Sequence, residues 1–187
     1  LDPDPAVAAL ADTLRSAPAP APPPATSVAV LPFRNLGTDP VHDDFADGIT
    51  EDVIAQLSKI RALSVTSRAS VMPFRERANG LREIGRTLGA ATLLDGSVRH
   101  AGDRVRIGVA LVDAATDRQL WGETYDRQLT DIFAIQADVA LQIARALEAE
   151  LTPEERTRVR REPTRDVQAY RLYLQARRWY SRYTPEA

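Results

Sequence analysis

Apolar and polar residues alternate most clearly near the middle of the chain, within residues 91–127. From residue 105 to residue 111, every second residue is a large apolar one: Val105, Ile107, Val109 and Leu111. Two short stretches, 101–103 and 114–118, interrupt the alternation and contain Gly or Asp, which favour chain reversal. Because successive side chains of a strand lie on opposite faces, the pattern predicts a three-stranded antiparallel meander with one buried face.

Three other segments place their apolar residues at helical spacing. The first begins at Asp43 or Asp44, the second is Leu81–Leu88, and the third covers 131–151. A sheet with one apolar face is only marginally stable alone, so we expect these helices to pack on the meander.

Two short apolar segments complete the predicted sheet. Ser27–Phe33 is rich in β-branched residues and is predicted to be a strand buried on both faces, while Leu63–Met72 is predicted to be a second strand. The fold class expected is therefore α/β, a mixed sheet of about five strands with about three packing helices.

A charged helix and an amphipathic segment are predicted after the sheet domain. Residues 152–155, with sequence TPEE, form a strong helix start, because Thr caps the helix, Pro suits its first turn and the acids favour its N-terminal end. The segment 167–183 then has an apolar stripe, formed by Tyr170, Leu172, Tyr173, Leu174, Trp179 and Tyr180. We expect this stripe to dock on the chain's own domain or on another copy, because large apolar patches rarely stay in contact with water.

The composition excludes several classes of function. With a formal net charge of -2, the chain has no overall field that would attract nucleic acid or an anionic membrane. It contains no cysteine, so disulfides, thiolate zinc sites and cysteine nucleophiles are absent. No window approaches the run of about 18 apolar residues that a membrane span requires. We therefore expect no nucleic-acid or membrane contact by this chain itself.

The sequence offers no catalytic or cofactor-binding constellation. Neither of the two commonest phosphate-binding glycine loops occurs. His42 lies among acidic residues that are better explained by a helix N-terminus than by a metal site, and His100 is expected to be exposed beside a hairpin turn. We expect no catalytic residue, no metal and no cofactor, and thus no enzyme activity in this chain.

One group of residues on the last strand is a candidate partner surface. Trp121, Glu123 and Tyr125 share one face of that strand, because they occupy alternate positions. Exposed aromatic residues there would indicate a protein interface. Burial under a neighbouring helix explains the same pattern and is the other interpretation. Further members of the candidate surface lie in the last segment, at Tyr170, Tyr173, Trp179 and Tyr180.

With these elements placed, residues 27–151 resemble a TolB amino-terminal-like domain of bacterial multidomain signalling proteins. The resemblance rests on the sequence ADGIT at 46–50, on LLDGSVRH at 93–100, and on the W-x-E-x-Y-D strand at 121–126, which follow one another in order. Domains of this kind occur in adenylate cyclases, receptor-type kinases and transcriptional regulators, ahead of tetratricopeptide repeats. The resemblance implies the same α/β fold and a place next to such repeats.

Two shorter resemblances suggest the neighbouring domains. Residues 167–187 are similar to the first helix of a tetratricopeptide-like repeat, after a charged helical linker at 152–166. Residues 1–16 are similar to the end of a bacterial transcriptional activation domain, and 17–26 form a Pro/Ala-rich linker.

These features lead to two hypotheses of function. The first is a non-enzymatic interaction or sensor module of a transcriptional regulator in the cytoplasm, with protein partners bound through the repeats and homo-oligomers also expected. The alternative is a domain that binds a nucleotide or sugar near Pro32–Asn35 and Arg68. Its parent would be a membrane-anchored adenylate cyclase or receptor kinase, and the domain would lie outside the cytoplasm.

Overall fold

The computed structural model describes residues 23–37, 43–76, 79–161, 164, 166, 168–170, 172–174 and 176. The strands are Ser27–Val30 (β1), Arg34–Asn35 (β2), Ser64–Val65 (β3), Thr92–Ala101 (β4), Arg104–Asp113 (β5) and Arg118–Gln128 (β6). The α-helices are Asp43–Leu57 (α1), Arg68–Val71 (α2), Leu81–Leu88 (α3), Ile132–Ala146 (α4) and Pro153–Arg160 (α5), with 3₁₀ turns at Met72–Phe74 and Leu129–Asp131. Residues 168–170, 172–174 and 176 are also helical, and we call them the C-terminal helical segment.

The strands of the described residues form one six-stranded mixed sheet. β1 lies inside the sheet and pairs in parallel with β3 and β4, and β2 also pairs in parallel with β4. β4, β5 and β6 follow in antiparallel order, with Gly96 opposite Val109 and Val109 opposite Glu123. This arrangement confirms the predicted α/β class and the predicted meander.

Both turns of the meander contain a residue in the left-handed conformation. Gly102 has a φ of 60° in the first turn, and Asp117 has a φ of 60° in the second. The backbone N–H and the hydroxyl of Thr116 each donate to Oδ1 of Asp113 at 2.8 Å, which closes the second turn. The side-chain hydrogen bond from Thr116 holds the pKa of the Asp113 carboxyl below its ordinary value.

Helices cover the two faces of the sheet unequally. α1 and α4 lie over the face that carries the apolar residues of the meander, where Val105 and Ile107 are at most 1% exposed. α2 and α3 cover only the part of the opposite face around Leu93. Another part of that face is a shallow depression of about 490 Å³ beside Arg34, lined largely by small residues of β4, β5 and β6.

The segment 63–72, predicted to be a strand, is extended only at β3. Oγ of Ser67 accepts a hydrogen bond from the backbone N–H of Ser70 at 3.4 Å and so caps α2. Arg68 also forms an ion pair with Glu51 of α1. Ser competes well for nearby backbone donors, so local capping outweighs the β-branched content of this segment. The prediction is wrong beyond Val65.

The long helix predicted for 131–151 ends early, since α4 stops at Ala146. Glu148 adopts the left-handed conformation with a φ of 51°, and the N–H of Ala149 donates to the carbonyl of Ala144 at 2.8 Å. A left-handed residue with such a backbone bond is a common way for a helix to terminate. The apolar period continues past this point because the following residues still face the core.

Candidate interface with the C-terminal helical segment

The C-terminal helical segment packs on the outer side of α1 and α4. Tyr170 and Leu174 are only 4% and 7% exposed and belong to the same apolar cluster as the sheet. Leu172 and Tyr173 face away, with 57% and 50% exposed. Residues four apart share one side of a helix, so the predicted stripe is divided between a buried and an exposed side. The docking expected from the sequence is present, for the described residues, on the chain's own domain.

A polar cluster lies within this contact, in which Tyr170 and Gln136 are buried and Asp52 is partly buried. The hydroxyl of Tyr170 donates to Oδ2 of Asp52, on α1, at 2.5 Å. Nε2 of Gln136, on α4, donates to the same Asp52 oxygen at 3.0 Å and approaches the Tyr170 hydroxyl at 3.4 Å. Because buried polar groups are costly without partners, these bonds connect the segment to both helices.

The cluster also has a defined electrostatic state. Burial raises the pKa of Asp52 above its ordinary value, and the hydrogen bonds from Tyr170 and Gln136 oppose that rise. Burial and the nearby Asp52 carboxylate raise the pKa of Tyr170, so its hydroxyl keeps its proton and can donate. A hydrogen bond to an ionised acceptor is stronger than one between neutral groups. The strength of the contact therefore depends on the charge of Asp52.

Two apolar contacts flank the polar cluster. The ring of Tyr170 meets the ring of Phe133, on α4, edge to face, with 4.8 Å between centroids and 72° between planes. On α1, Gly48 lies under Leu174, whose side chain fills the space that a Cβ at position 48 would need. The absence of a side chain at Gly48 thus allows the segment to lie close to α1.

The charged helix α5, predicted from its start sequence, is held against the end of α1. The Thr152 hydroxyl accepts from the N–H of Glu155 at 3.2 Å, and the Glu155 carboxylate accepts from the N–H of Thr152 at 3.0 Å, which forms a capping box. Oε1 of Glu155 also accepts from the backbone N–H of Arg61 at 3.1 Å. Nζ of Lys59 donates to the carbonyl of Arg158 at 3.2 Å. These bonds tie α5 to the domain that precedes it.

The candidate surface on β6 lies beside α4. Tyr125 is 8% exposed, and its hydroxyl donates to Oδ2 of Asp138 at 2.9 Å, so its side chain forms an internal contact. Trp121 is partly buried against the core, and Glu123 is exposed. The structure therefore does not place these three side chains on one open surface. Two other members of the candidate surface fall outside the described residues, Trp179 and Tyr180.

The described structure includes one of the two histidines considered in the sequence. His42 lies outside the described residues. His100, expected to be exposed, is half-buried, because its ring packs edge-on against the ring of Phe45 at 5.5 Å between centroids. Among the described residues, no group of three or more His, Cys, Asp or Glu side chains could hold a metal ion.

The strand ends considered for a ligand pocket carry two ion pairs. Arg34 lies 3.3 Å from Asp95, and Arg68 pairs with Glu51. The backbone N–H of Phe33 donates to the Thr50 hydroxyl at 2.9 Å. These contacts are made within the domain. In the part of the chain that the structure describes, no helix is long and apolar enough to span a membrane.

The sequence analysis did not identify the two residues whose side chains form hydrogen bonds with the Tyr170 hydroxyl. Asp52 adjoins the apolar stripe of α1, and Gln136 falls between the buried residues Ile135 and Val139 of α4. A polar residue inside an otherwise apolar helix face requires a hydrogen-bond partner when it is buried. That rule identifies Gln136 as unusual, but it does not identify a partner 34 residues away.

The fold is shared with part of TolB. The crystal structure of TolB from Acinetobacter baumannii matches with a TM-score of 0.51 and 19% identity, over 67% of this chain and 29% of that chain. The Tol-Pal system protein TolB of Pseudomonas fluorescens is 32% identical over 101 residues, which are 51% of this chain and 22% of that protein. The α/β domain therefore has a TolB-like fold.

The family follows from a second comparison. Residues 24–142 match the model of the HilA/YgeH-like transcriptional regulator, second domain, and the chain belongs to this family. It is also 42% identical to a protein named "Putative adenylate cyclase 3" from Rhizobium meliloti (strain 1021), over 160 residues that are 86% of this chain and 27% of that protein. The chain spans about a quarter of the length of these curated relatives.

Proposed function

We propose that the chain is a non-enzymatic interaction and sensor module of a bacterial signalling protein with several domains, of the transcriptional-regulator type. The α/β domain joins an output domain on its N-terminal side to protein-binding repeats on its C-terminal side. Membership of the HilA/YgeH-like family supports the regulator type.

The observation that carries this proposal is the hydrogen bond from Tyr170 to Asp52. It lies in a contact whose apolar residues are continuous with the core of the sheet domain. Packed side chains and hydrogen bonds of this kind can transmit a change in one element to its neighbour. A change in the repeats would therefore alter α1 and α4, the two helices that cover the sheet.

The exposed side of the C-terminal helical segment supports the repeat part of the proposal. Leu172 and Tyr173 present an apolar face away from the domain. In a helical repeat array each helix is covered by the next, so such a face suits the first helix of an array that begins near residue 167. Protein partners would bind this array. The protein would be located in the cytoplasm. The chain could also assemble into a homo-oligomer.

A second candidate is a parent of the adenylate cyclase type, with this domain as its ligand-sensing part and a membrane anchor elsewhere. The 42% identity to the cyclase-named protein of Rhizobium meliloti supports it. Both candidates use the same contact between sheet domain and C-terminal segment. They differ in the output domain and in the compartment.

The experiment uses Gly48, which can disturb the contact without touching the sheet. Gly48→Ala places a methyl group against Leu174, and the expected result is faster amide hydrogen exchange in residues 168–176 with α4 unchanged. Leu174→Ala in the same protein restores the space, so exchange in the double variant should not exceed that of Leu174→Ala alone. Gly80→Ala is the matched control, since a Cβ there meets nothing within 4 Å.

Gly48→Ala and Gly80→Ala, placed in the full-length parent, test coupling. We expect Gly48→Ala to change the parent's output, transcription of a reporter gene or cyclase activity, at equal protein levels, and Gly80→Ala to leave it unchanged. Faster exchange in 168–176 together with an unchanged output would contradict the coupling role.

A further inference from the structure

A groove of about 620 Å³ lies between α4 and α5. Three arginines line it. Arg145 lies in the last turn of α4, and Arg156 and Arg160 lie one helical turn apart on α5. Residues four apart on a helix lie on the same side, so α5 directs two guanidinium groups toward the groove.

These three guanidinium groups are available to a ligand. Each is exposed, and none forms an ion pair with a carboxylate among the described residues. Two carboxylates, Asp138 and Glu148, also line the groove. Asp138 already accepts a hydrogen bond from the Tyr125 hydroxyl. Cations therefore exceed anions in the groove, in a chain whose formal net charge is -2.

The groove also has apolar walls, formed by Leu141, Ala149 and Leu151. Small-molecule sites are typically apolar concavities of about 300–1,000 Å³ with a few fixed polar groups. Arginine binds phosphate oxygens in pairs through its planar group, and it is favoured where phosphate is recognised. The combination of three arginines with an apolar wall suits a ligand that carries phosphate at one end and a flat apolar ring at the other.

We propose that the groove between α4 and α5 binds a nucleoside phosphate, with Arg145, Arg156 and Arg160 on the phosphates and Leu141 and Leu151 against the base. The site is separate from the contact of Tyr170 with Asp52, and the proposal does not depend on the coupling role. A bound ligand would bridge the end of α4 to α5.

The test is isothermal titration calorimetry of the whole chain with two matched probes. ADP carries a diphosphate and a nucleoside, and inorganic pyrophosphate carries the diphosphate alone. We expect ADP to bind with a Kd below about 1 mM and at least about tenfold more tightly than pyrophosphate, because only ADP uses the apolar wall.

Two double variants locate the binding. Arg156→Gln with Arg160→Gln removes two groove cations, and Arg82→Gln with Arg86→Gln removes two exposed cations at the same spacing on α3. Both should keep the wild-type melting temperature, because all four side chains are exposed. We expect the first pair to weaken ADP binding at least about tenfold and the second less than about twofold.

Three results would overturn the proposal. The first is no heat of binding with ADP up to several times the expected Kd, and the second is equal affinity for ADP and pyrophosphate. The third is equal weakening by both double variants, which would assign binding to net charge. Duplex DNA is titrated as well: tighter binding of DNA than of ADP, lost in the Arg156 and Arg160 variant, would replace the nucleotide site with a nucleic-acid surface.

Discussion

Asp52 and Tyr170 lie 118 positions apart in the chain, and a hydrogen bond of 2.5 Å joins the tyrosine hydroxyl to the aspartate carboxylate. The bond is formed where three helical elements meet over one face of the sheet. It gives a segment at the C-terminal side of the chain a fixed position on the domain, and its charge dependence can be measured.

Replacing Tyr170 with Phe removes this hydroxyl and leaves the ring in place. Of the bonds that the described residues donate to Asp52, the one from Gln136 then remains, and a partly buried carboxylate that loses one donor is destabilised. We expect the free energy of unfolding to fall by about 1–3 kcal/mol, measured by urea denaturation at pH 7. Tyr125→Phe is the control: its hydroxyl also donates to a carboxylate, but that acceptor, Asp138, is exposed, so the loss should be smaller, about 1 kcal/mol or less. A loss of similar size in both variants would show that the hydroxyl of Tyr170 has no special role.

The pH dependence of stability gives a second test. The pKa of Asp52 is raised in the folded chain, chiefly by burial, so the folded state holds this proton more tightly than the unfolded state does. Its contribution to stability is present in full below about pH 4, the unfolded value, and falls as pH rises through the folded value. We expect the difference in unfolding free energy between wild type and Asp52→Asn to decrease as pH increases over that window.

Asp126 should show the opposite pH dependence of the unfolding free energy in the same experiment. Its pKa is lowered, first by the side-chain hydrogen bond from Arg104, so its contribution is present above the unfolded value and lost as pH falls. The difference between wild type and Asp126→Asn should therefore increase with pH. If both difference curves have the same slope, the pKa of Asp52 is not raised in the folded chain.

Val109 lies at the centre of β5 and is 5% exposed, opposite Gly96 on one side and Glu123 on the other. Val109→Asp places an unpaired charge under α1 and α4, and we expect a loss of several kcal/mol and of cooperative thermal melting. Thr124→Asp, on the exposed side of β6, is the control and should change stability by about 0.5 kcal/mol or less. Unchanged melting of Val109→Asp would mean that the faces of the strand are reversed.

The contribution of the N-cap of α5 to stability can be measured. Thr152→Ala removes the hydroxyl that accepts from the Glu155 N–H, and we expect a cost of about 1 kcal/mol in urea denaturation. Thr157→Ala in the same helix is the control, since that hydroxyl bonds only back to the carbonyl of Pro153. Because Ala has a higher helix propensity than Thr, Thr157→Ala should not destabilise the chain, and an equal loss in both variants would show that the cap is not its cause.

The sequence predicts the elements whose patterns are long and regular. The alternation through Val105–Leu111 specifies the meander, and the apolar stripe from Phe45 specifies α1, because burial of a continuous face dominates their energetics. Local backbone chemistry decides the rest. Ser67 caps a helix inside a segment of high β propensity, and Glu148 ends α4 in a left-handed conformation that its residue type does not favour. Neither event changes the apolar period.

The sequence predicts one side of the candidate interface and not the other. The apolar stripe at Tyr170 and Leu174 predicts docking, since its burial is favourable wherever it occurs. The receiving surface depends on Asp52, Gln136 and Gly48, which come together only after α1 and α4 pack side by side. The packing of α1 against α4 cannot be predicted from the pattern of a single sequence.

The position of β1 has a consequence for synthesis on the ribosome. Of the six described strands, β1 is made before the others, and its neighbours Ser64–Val65 and Thr92–Leu94 are made much later. The nascent chain must therefore carry a strand whose four residues are all buried in the final fold, without its longer partner until β4 has left the exit tunnel, at a translation rate of about 5–20 residues per second. During that interval of seconds, we expect β1 to be the segment that binds chaperones, and the order of folding to run from the meander back to the strand that was translated first.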